Sequence, residues 1–280
     1  MDSFELNNGV RIPALGLGTF LIAPRDAEKA VRHALAHGYS LIDTANAYCN
    51  EIAVGRAIRE SGLPRRSVFL STKLWVSVYE APQAVDKTLR RLGTDYIDLL
   101  FIHQPAGNWQ AGYEQLERAY EAGKIRAIGI SDFEAPELAQ LFAGARVKPQ
   151  VLQTEAHPFF AQTELRKKLD PEGIRLMSWY PLGHGDRSLI DHPLFAELAA
   201  RYGKTPAQVI LRWHVQMGFI VIPGSKSPVH VDENADIFDF SLSGEDLARI
   251  ARLDGTRRYY TATPEVLASY ANMHPNFDAD

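Results

Sequence analysis

Residues 40–51 read SLIDTANAYCNE. The first four, Ser40–Asp43, have the composition of a short buried strand that ends on a carboxylate. A Thr-Ala-Asn loop follows, then Tyr48, and Asn50-Glu51 open an amphipathic run. Taken alone, Asp43 reads equally well as a helix cap and Tyr48 as a core aromatic. The pattern recurs downstream, however. The apolar run VFLSTK (68–73) ends on Lys73, and IDLLFIH (97–103) ends on His103. Asp43, Lys73 and His103 are thirty residues apart each time, about the length of one strand-helix unit.

Working outward, the same rhythm fills the chain. A hairpin is expected over Phe4–Ile12 around Asn8-Gly9, stopped by Pro13, and a small-residue strand over Ala14–Phe20. Helices are expected from Asp26 to Gly38 and over 51–61, 82–92, 112–122 and 136–142, most of them closed by a glycine. Strands are expected over 68–73, 97–103, 125–131, 151–155 and 175–180. Helices near 163–169, 194–201, 206–216, 229–234 and 245–253 and a last strand over 219–222 complete the set. The tail from Gly255 to Asp280 reads as irregular. It has too little periodicity for a core of its own, so it is expected to fold over whatever mouth the strands make.

Eight strand-then-helix units without a linker imply a parallel sheet covered by helices. An open doubly wound sheet would carry a three-glycine fingerprint after its first strand, and Gly16-Leu17-Gly18-Thr19-Phe20 lacks the third glycine. The expectation is an α/β fold: one (β/α)8 TIM barrel spanning residues 1–280, with an N-terminal hairpin and a C-terminal tail over the barrel mouth. A length of 280 residues, 46% hydrophobic and 23% charged, suits such a barrel. A net charge of −4 gives no basis for a nucleic-acid partner. With no run of about 18 apolar residues, no membrane partner is expected. MDSFELNNGV does not resemble a signal peptide, and the lone Cys49 cannot form an intrachain disulfide, so a cytoplasmic monomer is expected.

In a barrel, chemistry sits at the carboxyl ends of the strands. Asp43, Lys73 and His103 end strands two, three and four, with Tyr48 in the loop between. Four ionisable groups on one rim suit proton transfer to a carbonyl. A nearby Lys73 cation is expected to lower the Tyr48 phenol, Asp43 to hold Lys73, and His103 to orient the carbonyl oxygen. The set has no electron donor, so a reduction requires a hydride cofactor. A Schiff-base role for Lys73 would need it unpaired, and Asp43 argues against that. No catalytic metal is expected. Among His33, His37, His103 and His157 the only paired ligand spacing is one i,i+4 pair on a helix.

Several segments together resemble the aldo-keto reductase superfamily, closest to its bacterial diketogluconate reductase-like branch. They are GLGTF (16–20), IDTANAYCNE (42–51), STKLW (71–75), LLFIHQP (99–105), IGISDF (128–133) and IPGSKSPVHVDEN (222–234). The resemblance implies reduction of a small aldehyde or ketone by NADP(H), with NAD(H) also accepted, and a tetrad of Asp43, Tyr48, Lys73 and His103. It further implies that Gly18 and Thr19 flank the cofactor, that Ser131, Asp132 and Gln153 bind the nicotinamide carboxamide, and that Tyr180 stacks on the ring. Pro181, Leu182 and Gly183 would line the pyrophosphate. Gly224, Ser225, Lys226, Ser227, His230, Glu233 and Asn234 would take the adenosine end, and Phe20, Leu21, Trp75, Gln104 and Trp109 the substrate. Three positions depart from the family's pattern: Asp132 where Asn is usual, Gln104 where many members have Trp, and Gly224 with His230 in place of Lys and Arg.

Overall fold

The computed structural model describes residues 2–279. An antiparallel hairpin, β1 (Ser3–Glu5) and β2 (Arg11–Pro13), comes first. The barrel strands are β3 (Gly16–Gly18), β4 (Leu41–Asp43), β5 (Phe69–Leu74), β6 (Leu99–Ile102), β7 (Ile128–Ser131), β8 (Val151–Glu155), β9 (Arg175–Trp179) and β10 (Ile220–Val221). Between them run α1 (Pro24–Ala36), α2 (Glu51–Glu60), α3 (Ala84–Leu92), α4 (Trp109–Glu121), α5 (Ala135–Gly144), α6 (Thr163–Leu169), α7 (Pro193–Tyr202) and α8 (Pro206–Gln216). After β10 come α9 (Pro228–Ala235), α10 (Gly244–Ala251) and α11 (Pro264–Ala271).

Each barrel strand pairs in parallel with the next in sequence, from β3 to β10. Parallel bridges Leu15–Val221 and Gly18–Gly224 then close the ring, with Gly18 N–H donating to Pro223 O at 3.2 Å. A Cβ on Gly18 would sit 2.8 Å from Ile222 O, so the seam closes only around a glycine. The sheet is a closed (β/α)8 barrel, as the alternation implied.

Two apolar layers hold it. Helix faces such as Ala27, Val31 and Ala34 of α1 cover the outside. Inside lie Leu41, Phe69, Leu99, Phe101, Val151, Met177 and Ile220, and the hairpin contributes Leu6 and Ile12 to the same cluster. Those two enter at the amino ends of the strands, so the hairpin plugs the bottom of the barrel. Asn7 and Asn8 tie its turn to Pro149 O and Arg126 O at 3.1 and 3.0 Å. Gly9, at φ 81°, supplies the left-handed turn residue.

The tail differs from expectation. It holds a helix, α11, capped by the Thr263 hydroxyl accepting from Val266 N–H, which the sparse apolar pattern did not reveal. It does cross the mouth. Buried Glu155, ending β8, accepts from Tyr259 N–H and Tyr260 N–H at 2.7 Å each, and Trp75 Nε1 donates to Met273 O at 3.0 Å.

Inside the barrel Gly129 faces the Phe101 ring, and a Cβ there would overlap it. Gly129→Ala is therefore expected to cost about 1–3 kcal/mol through overpacking. Thermal denaturation against the wild type checks this, and an unchanged midpoint would refute the close packing.

Candidate active site

Parallel register sets the geometry of the mouth. Asp43 pairs with Ser71, and Lys73 lies two residues further along β5 on the same face. Lys73 Nζ reaches Asp43 Oδ2 at 2.6 Å and Thr44 O at 2.8 Å. Both side chains are essentially inaccessible, at 0% and 2%. Ser71 Oγ donates to the other carboxylate oxygen at 2.8 Å, and Gln153 Nε2 approaches it at 3.4 Å.

Tyr48 sits in a short 3-10 turn, Asn46–Tyr48, that follows β4. Its ring lies 5.0 Å from Lys73 Nζ and meets His103 edge-on at 5.6 Å. The structure thus brings Asp43, Tyr48, Lys73 and His103 together. The sign expected for the phenol is reversed. Desolvation first, then the Asp43 charge, pushes Tyr48 well above the usual phenol value. Lys73 cannot counter this, because Asp43 already neutralises it at 2.6 Å. Desolvation also pulls Lys73 below its ordinary value. His103 is held well below the ordinary imidazole value by burial and by Lys73, so the ring is neutral. Its Nδ1 is buried without a hydrogen-bond partner.

Above these groups opens a cavity of about 520 Å³. Of the residues expected to hold a cofactor, Gly18, Ser131, Asp132, Gln153, Tyr180, Pro181, Leu182 and Gly224 line it. Thr19 does not: it is fully buried, and its hydroxyl donates to Asp43 O at 3.1 Å. Gly183, Ser225, Lys226, Ser227, His230, Glu233 and Asn234 are not among the lining residues; the last six follow Gly224 along the loop and into α9. Phe20, Leu21, Trp75 and Gln104 line the outer part. Trp109 does not reach it, packing edge-on against Phe133 at 5.0 Å instead.

Two residues that the sequence did not single out, together with the tail expected over the mouth, complete the walls. His184 stacks on Tyr180 at 3.6 Å, and Trp179 meets Tyr180 edge-on at 4.1 Å. Tyr260, Tyr270 and Met273 come from the tail. Several wall residues hold left-handed backbone without being glycine: Leu21, Asp132, Tyr180 and His184, at φ 57°, 60°, 53° and 52°. Such strain clusters where a binding surface is over-determined by its surroundings. It was the available signal, but it exists only in three dimensions.

The cavity fits a nicotinamide ring with its carboxamide. Ser131, Asp132 and Gln153 offer donors and acceptors on one wall, a neutral buried imidazole lies nearby, and Tyr180 offers a flat aromatic side. Asp132 is the unusual member. Trp179 Nε1 donates to one oxygen at 2.9 Å and Gln104 Nε2 to the other at 3.1 Å. Burial nevertheless raises its carboxyl to about 7.

Comparison with known proteins shows the family. The family model described as "Aldo/keto reductase family" matches residues 14–254. An aldo-keto reductase of Mycolicibacterium smegmatis is 44% identical over 259 residues, covering 90% of this chain and 94% of that one. The glyoxal reductase of Bacillus subtilis is 41% identical over 271 residues, covering 95% and 98%. The crystal structure of an aldo/keto reductase from Brucella melitensis superposes with a TM-score of 0.87 at 41% identity, covering 90% of this chain and 99% of that one.

Asp132 gives a signed prediction. Its value of about 7 in the fold exceeds its ordinary 3.8, so between those limits the native state holds the extra proton. Stability then falls as pH rises through that window. Asp132→Asn keeps an acceptor for Trp179 and removes the charge. It is expected to be more stable than wild type at pH 8, by on the order of a few kcal/mol. The difference should shrink towards pH 4. Denaturant unfolding at the two pH values tests this, and a constant difference would refute it.

Proposed function

We propose, from the premise that the chain belongs to the aldo/keto reductase family, that it reduces small aldehydes and ketones with NADPH, using Tyr48 as the general acid. An oxidoreductase acting on carbonyls follows from the family; the acid and the cofactor choice are our own reading. The observation that carries it is the convergence of Tyr48 and neutral His103 on one cavity floor, above the buried Asp43–Lys73 pair.

Ser131, Asp132, Gln153 and Tyr180 would hold a reduced nicotinamide, which would supply the hydride. The chain supplies everything else. His103, being neutral, has one N–H to give the carbonyl oxygen, which it orients and polarises. Tyr48 keeps its proton throughout the neutral range, because desolvation disfavours the phenolate. As the carbonyl oxygen becomes an alkoxide, a stronger base than phenolate, the proton passes from Tyr48 Oη to that oxygen. The cation next to the new phenolate is Lys73, with Nζ 5.0 Å from the ring centroid; its pairing with Asp43 leaves it only a partial counter-charge. Trp75, Phe20 and Tyr270 make the outer wall apolar and aromatic, while Gln104 gives it one polar side. That suits a compact carbonyl carrying a second oxygen. Glyoxal, the substrate in the name of the B. subtilis relative, is one such compound and belongs first in a substrate screen.

Among the described residues no helix is long and apolar enough to cross a membrane, and half-buried Cys49 is unpaired, in keeping with a reducing compartment.

Tyr48→Phe removes only the proton donor. It is expected to lower kcat/KM for carbonyl reduction by about two to four orders of magnitude and leave NADPH binding intact. Steady-state kinetics with nucleotide fluorescence titration measures both, and near-normal turnover would sink the acid assignment.

A second expectation concerns the nucleotide. Selective 2′-phosphate sites offer fixed Lys or Arg donors. Here Gly224 offers only backbone, while Lys226 and His230 are exposed on the loop and helix beyond it. With a charged contact worth about 1.5–3 kcal/mol, losing one leaves a preference for NADPH over NADH within about a hundredfold. A kcat/KM ratio of about a thousandfold or more would point to another cationic ligand.

A further inference from the structure

Away from the barrel mouth, α1 and α9 pack side by side. At the end of α1, His33 and the C-cap residue His37 stand one helical turn apart, and Asp232 of α9 faces them. His33 Nε2 lies 2.7 Å from Asp232 Oδ1. The two imidazoles stack at 3.9 Å with planes 23° apart. One ligand atom from each of the three residues falls within 4.8 Å of the others. No step of the reduction uses any of them.

We propose that His33, His37 and Asp232 form a binding site for a divalent transition-metal ion of the zinc class, which clamps α9 to α1. The donor set selects the metal. Two imidazole nitrogens and one carboxylate oxygen suit zinc, cobalt, nickel or copper, whereas calcium and magnesium need shells of oxygen. Three protein ligands leave a fourth tetrahedral position for water.

Three features prepare the site. His37 Nδ1 donates to His33 O at 2.8 Å, since a carbonyl can only accept. That bond fixes the tautomer and leaves the Nε2 lone pair outward, the usual second contact of a metal-binding histidine. The frame is also braced next door: the buried Tyr39 hydroxyl donates to Val231 O at 2.8 Å and ties the end of α1 to the residue before Asp232. Finally, His37 and Asp232 are exposed while His33 is half-buried, so an ion can enter. Tetrahedral bonds of about 2.0–2.1 Å put ligand atoms about 3.3 Å apart. The His33–Asp232 pair is already closer than this, and His37 closes the remaining distance by side-chain rotation. The ion then replaces the proton between His33 Nε2 and Asp232.

The test uses the full chain without any histidine tag. Zn²⁺ is titrated against a chromophoric chelator in the wild type, His37→Ala and Asp232→Asn. The expected result is one Zn²⁺ per chain with Kd at or below about 10 µM, weakened about tenfold or more in each variant. Co²⁺ should give the intense visible bands of a four-coordinate site in the wild type and lose them in His37→Ala. Zn²⁺ should also raise the wild-type melting midpoint and leave that of His37→Ala unmoved. Absence of stoichiometric binding at about 100 µM Zn²⁺, or equal affinity in all three proteins, would overturn the site and leave the trio as a surface hydrogen bond.

Discussion

The Asp43–Lys73 ion pair constrains the whole mouth. Two charges removed this completely from water cost several kcal/mol each unless geometry and further hydrogen bonds compensate. Here the compensation is built from backbone and neighbouring strands: Thr44 O on the ammonium, Ser71 Oγ and Gln153 Nε2 on the carboxylate. The arrangement demands correct register between β4 and β5, because a slip of one residue would turn Lys73 out towards the helix layer. Apolar residues of similar volume would give a cheaper core. The pair therefore makes sense as a cation held in a fixed place beneath the phenol.

The same stretch that supplies Asp43 spends nearly every polar side chain on holding the site in place. Thr44 donates to Asn50 Oδ1 at 2.7 Å, and Asn50 Nδ2 donates to Thr19 O and Ile22 O at 3.0 Å each, fixing the loop that carries Phe20 and Leu21. Asn46 Oδ1 accepts from Trp75 N–H at 3.0 Å. Buried Glu51 accepts from Thr72 and Arg91, both at 2.6 Å, joining α2 to β5 and α3. Residues 40–51 act as a hub between the first three strand-helix units, with Tyr48 set rigidly at its centre.

This explains what could be read from sequence. Strand ends spaced at thirty residues betray a barrel rim, since period-two strands and short loops leave few alternatives for Asp43, Lys73 and His103. Glu155, Trp179 and His184 gave no such signal, because their importance lies in partners far away in sequence, such as Tyr259 N–H and Asp132. Trp109 misled for the same reason: a loop position places it near the mouth, but Phe133 captures its ring. The direction of the Tyr48 shift was also out of reach. It depends on whether Lys73 is already neutralised, a matter of ångströms rather than of residue types. The α11 helix was hidden because eight residues are too few to show a period, although its half-buried Leu267, Tyr270 and Ala271 pack against the core.

The seam between β3 and β10 has a consequence for how the chain comes to exist. Leu15 pairs with Val221 and Gly18 with Gly224, joining the first barrel strand to the last. During synthesis β3 waits, with one edge unpaired, until nearly the whole chain has left the ribosome. The hairpin's Leu6 and Ile12 wait with it, their cavity not yet enclosed. Any product that stops before β10 keeps two open strand edges and an apolar plug without a socket, the features that template association between chains. Premature termination here yields sticky material, and full-length synthesis alone removes the hazard.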